Sequence, residues 1–219
     1  MKALIIQHED STPPGSTLEW LDKNNISYKI HFFKTGDLDK NEKFDLLVIC
    51  GGSANVDQEA LHPWLVNEKQ YIRSSIADGV KIVGLCLGGQ LLSEALGGNV
   101  FKAPIWEVGW QKVRLLENNS EMTVFQWHGY QFTTPPGSQK IAESAGCPHQ
   151  AFTHGKNIIA FQFHPESTVK WVEECAADPD LPVVDTYVQT SSAMLEGMTH
   201  QKGMQKWYFE KLDLIFLGF

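Results

Sequence analysis

Two hydrophobic periods alternate along the first half of the chain. Short apolar runs typical of strands occupy Lys2–Gln7, Asp45–Cys50 and Val80–Leu85, and the composition of Asp45–Cys50 predicts burial on both faces. Over Tyr28–Phe33 apolar and polar residues alternate, which predicts a further strand. Between them, over Ser16–Asn24 and Trp64–Asp78, apolar residues recur every three or four positions, which predicts helices. Strands that alternate with helices build βαβ units, so the pattern predicts an α/β fold with a parallel sheet.

The pattern changes in the middle of the chain. Gly109–Leu116, Met122–Trp127 and Ile158–Phe163 are predicted as short strands between turn-rich stretches, which indicates a mixed or antiparallel extension of the sheet. From Ser167 the pattern is again largely helical. The last apolar stripe, from Met204 to Phe216, predicts an amphipathic helix.

Composition narrows the class of protein. The chain has 219 residues, of which 42% are hydrophobic, enough for a substantial core. A net charge of −8 and the lack of a basic run argue against a nucleic-acid partner. The apolar run near the N-terminus is too short for a signal peptide or a membrane span. We therefore expect a cytoplasmic protein with reduced thiols and no membrane partner.

Cys86 stands where the strand pattern gives way to the helix pattern. The stretch Gly84–Gly88 reads Gly-x-Cys-x-Gly, the thiol counterpart of the nucleophile elbow. Its glycines allow a sharp turn, and the unpaired N–H groups of the following helix favour a thiolate. We predict Cys86 as a nucleophile and interpret Cys50, Cys147 and Cys175 as inert.

A base and its orienting group are predicted downstream. His164 follows an apolar strand, and Glu166 comes two residues later. In an extended chain such residues share a face, so the carboxylate is placed to fix the imidazole. Since a cysteine nucleophile needs a base and the base needs an orienter, the sequence predicts a Cys86–His164–Glu166 triad.

A predicted oxyanion hole completes this chemistry. Gly51 and Gly52 follow a buried strand, and ligands of open parallel sheets bind beyond the carboxyl ends of the strands. We predict that the N–H groups of Gly52 and Leu87 hold the oxyanion.

The remaining polar and aromatic candidates have two interpretations each. His128 is a substrate-loop residue or a hydrogen-bonded turn histidine, and we favour the turn. The Trp106–Trp110 cluster is interpreted as core, with Glu107 lining the pocket as the alternative. The other histidines lack metal-ligand spacing and are interpreted as surface or packing residues: His8, His31, His62, His149, His154 and His200.

Three ordered motifs resemble the class I, triad-type glutamine amidotransferases, especially free-standing proteins similar to the amidotransferase domain of GMP synthase. They are Gly-Leu-Cys-Leu-Gly-Gly-Gln at 84–90, His-Gly at 128–129 and Phe-His-Pro-Glu at 163–166. The resemblance covers residues 1–170 and leaves 171–219 as a helical C-terminal extension packed on the same domain. It implies a flavodoxin-like, doubly wound, mostly parallel sheet with helices on both faces.

The resemblance also implies roles for single residues. Cys86 would be the nucleophile, His164 the base and Glu166 its orienter. The implied contacts to glutamine are Gln90, Trp127, Gly129 and Tyr130. Two positions depart from the family pattern: Tyr130 replaces the usual aspartate, and Ser53 replaces a common proline.

The predicted activity is that of a glutamine amidotransferase-like cysteine hydrolase. It would cleave the γ-glutamyl amide of glutamine to glutamate and ammonia through a thioester, without metal or organic cofactor. One alternative is a γ-glutamyl peptide hydrolase with the same triad, and another is a non-enzymatic binding or regulatory protein on the same fold. Because the sequence lacks a nucleotide-binding Gly-rich loop, an amidotransferase role would require a separate ammonia-accepting synthase.

Overall fold

The computed structural model of the chain describes residues 1–39 and 42–218. The strands are β1 (Lys2–Ile6), β2 (Ser27–His31), β3 (Leu46–Ile49), β4 (Lys81–Leu85), β5 (Val100–Leu115), β6 (Ser120–Phe132), β7 (Ser138–Glu143), β8 (Ala151–His154) and β9 (Ile158–Phe161). The helices are α1 (Thr17–Lys23), α2 (Trp64–Ala77), α3 (Leu87–Ala95), α4 (Val169–Ala176), α5 (Ser191–Glu196) and α6 (Gln201–Leu212).

Within the described residues, all these strands form one sheet in the order β2-β1-β3-β4-β9-β8-β7-β5-β6. The first five strands of that order are parallel, and the remaining pairings are antiparallel. The parallel part reverses its winding direction between β1 and β3, the point at which doubly wound sheets bind ligands. The predicted doubly wound α/β fold is confirmed.

Alternate residues of the parallel strands supply two separate cores. In β1, Ala3 and Ile5 pack with α1, α4 and α6, whereas Leu4 and Ile6 pack with α2 and α3 on the opposite face. The same alternation continues through β3, β4 and β9 because successive side chains of a strand point to opposite faces. Both faces are buried, which explains why these strands appear in the sequence as continuous apolar runs.

Of the three short strands predicted after residue 100, Ile158–Phe163 is confirmed as the short β9, and the other two predictions are wrong in length. The strands β5 and β6 contain 16 and 13 residues and pair as a long hairpin, with a register shift between Lys102 and Glu107. In the outer half of this hairpin the neighbouring residues Phe101 and Lys102 are both exposed and the register shifts, so no alternation of buried and exposed residues marks this segment. Sequence periodicity therefore identified only the half that lies over the core.

A helical C-terminal segment is present, as predicted. The buried side chains of Met204, Tyr208 and Leu212 in α6 belong to the same cluster as the strand residues of that face. The predicted extension 171–219 ends at Phe219, which lies outside the described residues. No helix in residues 1–39 and 42–218 is both long and apolar enough to cross a bilayer.

Candidate active site

Cys86 sits between the end of β4 and the first residue of α3. Its φ of 50° is positive, and it is 6% exposed. A Cβ on Gly84 would lie 2.6 Å from the carbonyl oxygen of Gly88, and a Cβ on Gly88 would overlap the backbone of Ile49. The two glycines are therefore needed for α3 to start this close to β3 and β4. The strained turn holds the thiol at the carboxyl edge of the sheet.

His164 and Glu166 form a buried pair. The Nδ1 atom of His164 lies 2.8 Å from Oε1 of Glu166, and both side chains are 3% exposed. The two residues lie in a turn after β9 and not in an extended strand. Their side chains are close together as predicted, although the predicted extended backbone conformation is not found. The indole of Trp171 packs 4.8 Å from the His164 ring.

The backbone next to Glu166 is fixed by the N-terminal segment. The N–H of Ser16 donates to the carbonyl of Glu166 at 2.8 Å. Gly15 has a φ of 53°, and a Cβ there would overlap that carbonyl. Sequence reasoning missed this contact, although Pro13-Pro14-Gly15 is a clear turn signal.

Electrostatics favour a charged imidazole at His164. Burial alone would lower its pKa, but the negative charge of Glu166 and the charge and hydrogen bond of Cys86 outweigh burial and raise the pKa to about 10. The imidazolium is thus the stable form of His164 at neutral pH. It can release a proton to a leaving group and compensate a thiolate charge.

Cys86 and His164 lie against the same glycine. A Cβ on Gly51 would be 2.9 Å from Cε1 of His164 and 3.6 Å from Cβ of Cys86. The sulfur of Cys86 also lies 3.8 Å from Nε2 of Gln162 and 3.8 Å from the carbonyl oxygen of Trp127. The structure therefore brings the three predicted triad residues into one cluster, together with Gln162, which sequence reasoning missed.

A cavity of about 490 Å³ opens in front of Cys86. It is lined by Gly52, Ser53, Ala54, Asn55, Gln58, Cys86, Leu87, Gln90, Lys102, Trp106, Trp127, His128, Gly129 and Tyr130. Both predicted oxyanion-hole residues and all four predicted substrate contacts are in this set. The N–H groups of Gly52 and Leu87 have no hydrogen-bond acceptor in the described part of the chain. They are available to a ligand.

His128 is not a turn residue, so the favoured interpretation of it is wrong. It lies within β6, is 3% exposed, and places Nε2 3.1 Å from Oε2 of the fully buried Glu107. Ser144 and Gln150 donate hydrogen bonds to the Glu107 carboxylate, at 2.9 and 2.8 Å. This buried group holds the strand segment that carries Gly129, whose backbone packs on Trp106. A turn was predicted because the long β6 was not recognised.

The other thiols are poorly suited to nucleophilic chemistry. Burial raises the pKa of Cys147 and of Cys175 to about 12, and raises that of Cys50 well above its ordinary value. All three are therefore protonated at neutral pH. Within residues 1–39 and 42–218, no group of His, Cys, Asp and Glu side chains is arranged to hold a metal ion.

Known proteins are similar to this chain in sequence and in fold. The sequence profile of the family "Glutamine amidotransferase class-I" matches residues 16–173. A glutamine amidotransferase-like protein of Salmonella typhimurium is 30% identical over an alignment that covers 95% of each chain. One of the subunits of the glutamine-hydrolysing GMP synthase of Saccharolobus solfataricus is 31% identical over 134 residues, 57% of this chain and 69% of that protein.

Other curated relatives are larger GMP synthases, of which the chain spans only 18% to 26%. Among solved structures, a glutamine amidotransferase from Methylobacillus flagellatus matches with a TM-score of 0.91 at 26% identity. The match covers 99% of this chain and 94% of that one. The profile match, the relative aligned over almost its whole length and the shared fold agree: this chain belongs to the class I glutamine amidotransferase family.

Proposed function

We propose that the chain is a cysteine hydrolase of γ-glutamyl amides, with glutamine as its simplest substrate. One observation carries the proposal: Cys86 and the N–H groups of Gly52 and Leu87, which have no acceptor among the described residues, line one cavity, and the His164–Glu166 pair lies next to Cys86. Nucleophile, proton donor and oxyanion donors are the three components that acyl transfer from an amide requires.

In the first half of the proposed reaction, the Cys86 thiolate attacks the side-chain carbonyl carbon of the substrate. A C–S bond forms, and the carbonyl oxygen takes the negative charge, which the N–H groups of Gly52 and Leu87 stabilise. The His164 imidazolium then protonates the amide nitrogen, the C–N bond breaks, and ammonia leaves. The product is a γ-glutamyl thioester on Cys86.

Water completes the reaction. The now neutral His164 takes a proton from water as the oxygen attacks the thioester carbon, and the C–S bond breaks to release glutamate and the thiolate. Glu166 keeps the imidazole oriented and stabilises its charged form. Gln90, Trp127, Gly129 and Tyr130 surround the bound γ-glutamyl group in this proposal.

The γ-glutamyl peptide alternative also has a specific observation in its favour. Of the described cavity-lining residues, none is an aspartate or glutamate, whereas Lys102 adds a positive charge beside Trp106. A lysine at the mouth attracts the C-terminal carboxylate of a γ-glutamyl dipeptide, a group that the γ-amide of glutamine lacks. The cavity volume lies within the range of sites that enclose larger ligands.

The direct test compares the wild type with Cys86→Ala. We measure glutamate and ammonia release from glutamine, and glutamate release from a panel of γ-glutamyl dipeptides, without ATP. We expect the wild type to act on at least one compound and Cys86→Ala to lose activity at least about a thousandfold, because the nucleophile is gone. Cys175→Ala is the matched control and should keep full activity.

Labelling identifies the reactive sulfur independently. A γ-glutamyl electrophile, such as a diazo ketone analogue of glutamine, should modify Cys86 and leave Cys50, Cys147 and Cys175 unmodified, as read by peptide mass spectrometry. Full activity in Cys86→Ala would reject the proposed nucleophile. A chain inert on every compound until a synthase is added would instead indicate a dependent component of a larger enzyme, which is how the Saccharolobus relative is named.

Lys102 separates the two substrate classes. We predict that Lys102→Met raises KM for γ-glutamyl dipeptides about two- to fivefold, as expected for a lost exposed charge pair of up to about 1 kcal/mol. KM for glutamine should stay the same. Lys112→Met, a change in the same strand with its lysine paired to Glu121 outside the cavity, is the control. Equal effects on both substrates would assign Lys102 no role in discrimination.

A further inference from the structure

The peptide unit between Gly51 and Gly52 is held from the side opposite the cavity. Its carbonyl oxygen, on Gly51, accepts a hydrogen bond from Nδ1 of His8 at 2.7 Å and another from the hydroxyl of Thr12 at 3.1 Å. Its N–H, on Gly52, has no acceptor in the described part of the chain, and Gly52 lines the cavity. One peptide group thus connects His8 with the substrate site.

The geometry of a trans peptide makes this connection directional. The C=O and N–H of one planar unit point in opposite directions, and the described residues contain no cis peptide bond. Fixing the Gly51 carbonyl on His8 and Thr12 therefore aims the Gly52 N–H toward the other side. The following residue is fixed as well, since the N–H and the hydroxyl of Ser53 donate to the Glu9 carboxylate at 2.8 and 2.7 Å.

The second ring nitrogen of His8 faces a buried carboxylate. Its Nε2 lies 2.9 Å from Oε1 of Glu68 in α2, and the two side chains are 4% and 0% exposed. A carbonyl only accepts hydrogen bonds, so Nδ1 carries a proton, and an ionised Glu68 requires a proton on Nε2 too. Burial lowers the pKa of His8, but the carboxylate of Glu68, the Gly51 carbonyl and Glu9 outweigh it and raise the pKa.

We propose that His8, held by Glu68, is a positioning residue that aims and polarises the Gly51–Gly52 peptide, so that the Gly52 N–H stabilises the oxyanion. The inference rests on the proposed function. A hydrogen bond to the carbonyl oxygen draws electron density from the amide nitrogen of the same group, which makes its N–H a stronger donor. A cationic donor does so more strongly than a neutral one.

The test compares two substitutions at His8, using glutamine or whichever γ-glutamyl compound the wild type cleaves. His8→Leu removes the imidazole donor and leaves the Gly51 carbonyl with the Thr12 hydroxyl alone, and we expect kcat to fall about thirty- to three-hundredfold with KM nearly unchanged, because the oxyanion charge develops only in the transition state. His8→Asn places an amide N–H near the position of Nδ1 and should restore most of this loss. His154→Leu, which removes a histidine paired with Ser138 in the β7–β8 hairpin, is the control.

A covalent analogue provides a readout of the oxyanion itself. Glutamate γ-semialdehyde adds the Cys86 sulfur to its aldehyde carbon, and the former carbonyl oxygen occupies the oxyanion position. Its inhibition constant should rise in His8→Leu in proportion to the loss of kcat. A purely structural effect of the substitution would instead lower the folded fraction without this proportionality.

The outcomes separate the two proposals. A folded His8→Leu with unchanged kcat and unchanged aldehyde affinity overturns the role of His8 and leaves the hydrolase intact. A wild type that neither cleaves any γ-glutamyl compound nor binds the aldehyde overturns both. If His8→Leu does not fold, Glu68→Gln carries the test, since it removes the ring charge but keeps the volume. In a folded Glu68→Gln we expect kcat to fall with KM nearly unchanged, and an unchanged kcat with unchanged aldehyde affinity then overturns the role of His8.

Discussion

At the scale of single residues, Glu166 sets the charge of its neighbour. The pKa of His164 is about 10, compared with an ordinary value of 6.5; burial acts to lower it, and the Glu166 carboxylate makes the largest raising contribution. A raised pKa also means that this imidazolium stabilises the folded state. That contribution is fully present below pH 6.5 and is lost as pH rises through about 10.

The same shift predicts a pH profile. In the proposed mechanism His164 acts as an acid, so kcat/KM should fall as pH rises through about 10. In Glu166→Gln the favourable charge is removed, the imidazolium deprotonates earlier, and this fall should move about one to three pH units lower. Rates between neutral pH and pH 11 check this, with Glu173→Gln on the exposed side of α4 as the control. An unmoved profile would contradict the assigned cause.

Local patterns decided which site residues the sequence could predict. Cys86 is flanked by glycines, and His164 is followed by Pro165 and Glu166, so each carries its signal within a few positions. His8 and Glu68 are 60 residues apart, and neither has a distinctive neighbourhood. Their pairing exists only because the loop that follows β1 lies next to α2 in the folded chain. No reading of either segment alone could predict it.

At the scale of elements, close packing of α3 on the sheet explains the glycines of the elbow. The periodicity predicted β1, β3, β4 and their helices because both faces of those strands are buried. It failed for the outer half of the β5–β6 hairpin, where the neighbouring residues Phe101 and Lys102 are both exposed. Hydrophobic patterns reflect burial, so a strand segment that extends beyond the core does not show such a pattern.

Two glycines in helices should respond in opposite ways to alanine. Gly88→Ala forces a methyl group into the backbone of Ile49 and should lower the free energy of unfolding by about 1–3 kcal/mol. Gly203→Ala in α6 meets no atom within 4 Å and should raise it by about 0.5–1 kcal/mol, because alanine favours a helix interior. Urea denaturation measures both. Equal effects would mean that α3 shifts away from β3 to admit the methyl group.

At the scale of the whole molecule, the C-terminal helices complete a core that the N-terminal strands begin. Tyr208 and Trp20 are buried in the same cluster as β1 and β3. The hydroxyl of Tyr208 lies 2.9 Å from that of Thr17, and Trp20 Nε1 donates to Asp213 at 2.8 Å. Buried contacts thus connect residues on both sides of position 170. The division of the chain at that position stays a prediction.

The Thr17–Tyr208 hydrogen bond can be tested by stability alone. Tyr208→Phe leaves the buried Thr17 hydroxyl without its partner, so the free energy of unfolding should fall by about 1–3 kcal/mol. The activity of the folded protein should not change. Tyr28→Phe in β2, where the side chain is 37% exposed, should stay within about 0.5 kcal/mol of the wild type. A loss no larger than that of Tyr28→Phe would show that water replaces the hydrogen bond.

The contact between α1 and α6 also constrains the order of events during synthesis. Thr17 and Tyr208 are 191 positions apart, so α1 leaves the ribosome long before the surface that covers it exists. Until then the side chains of Trp20 and Leu21 lack the α6 contacts that help to bury them in the folded protein. They need protection by a chaperone or by non-native contacts. The Glu166 backbone is tied to the same N-terminal segment through Ser16. We therefore expect the nascent chain to acquire the proposed amidase activity only after α6 has emerged.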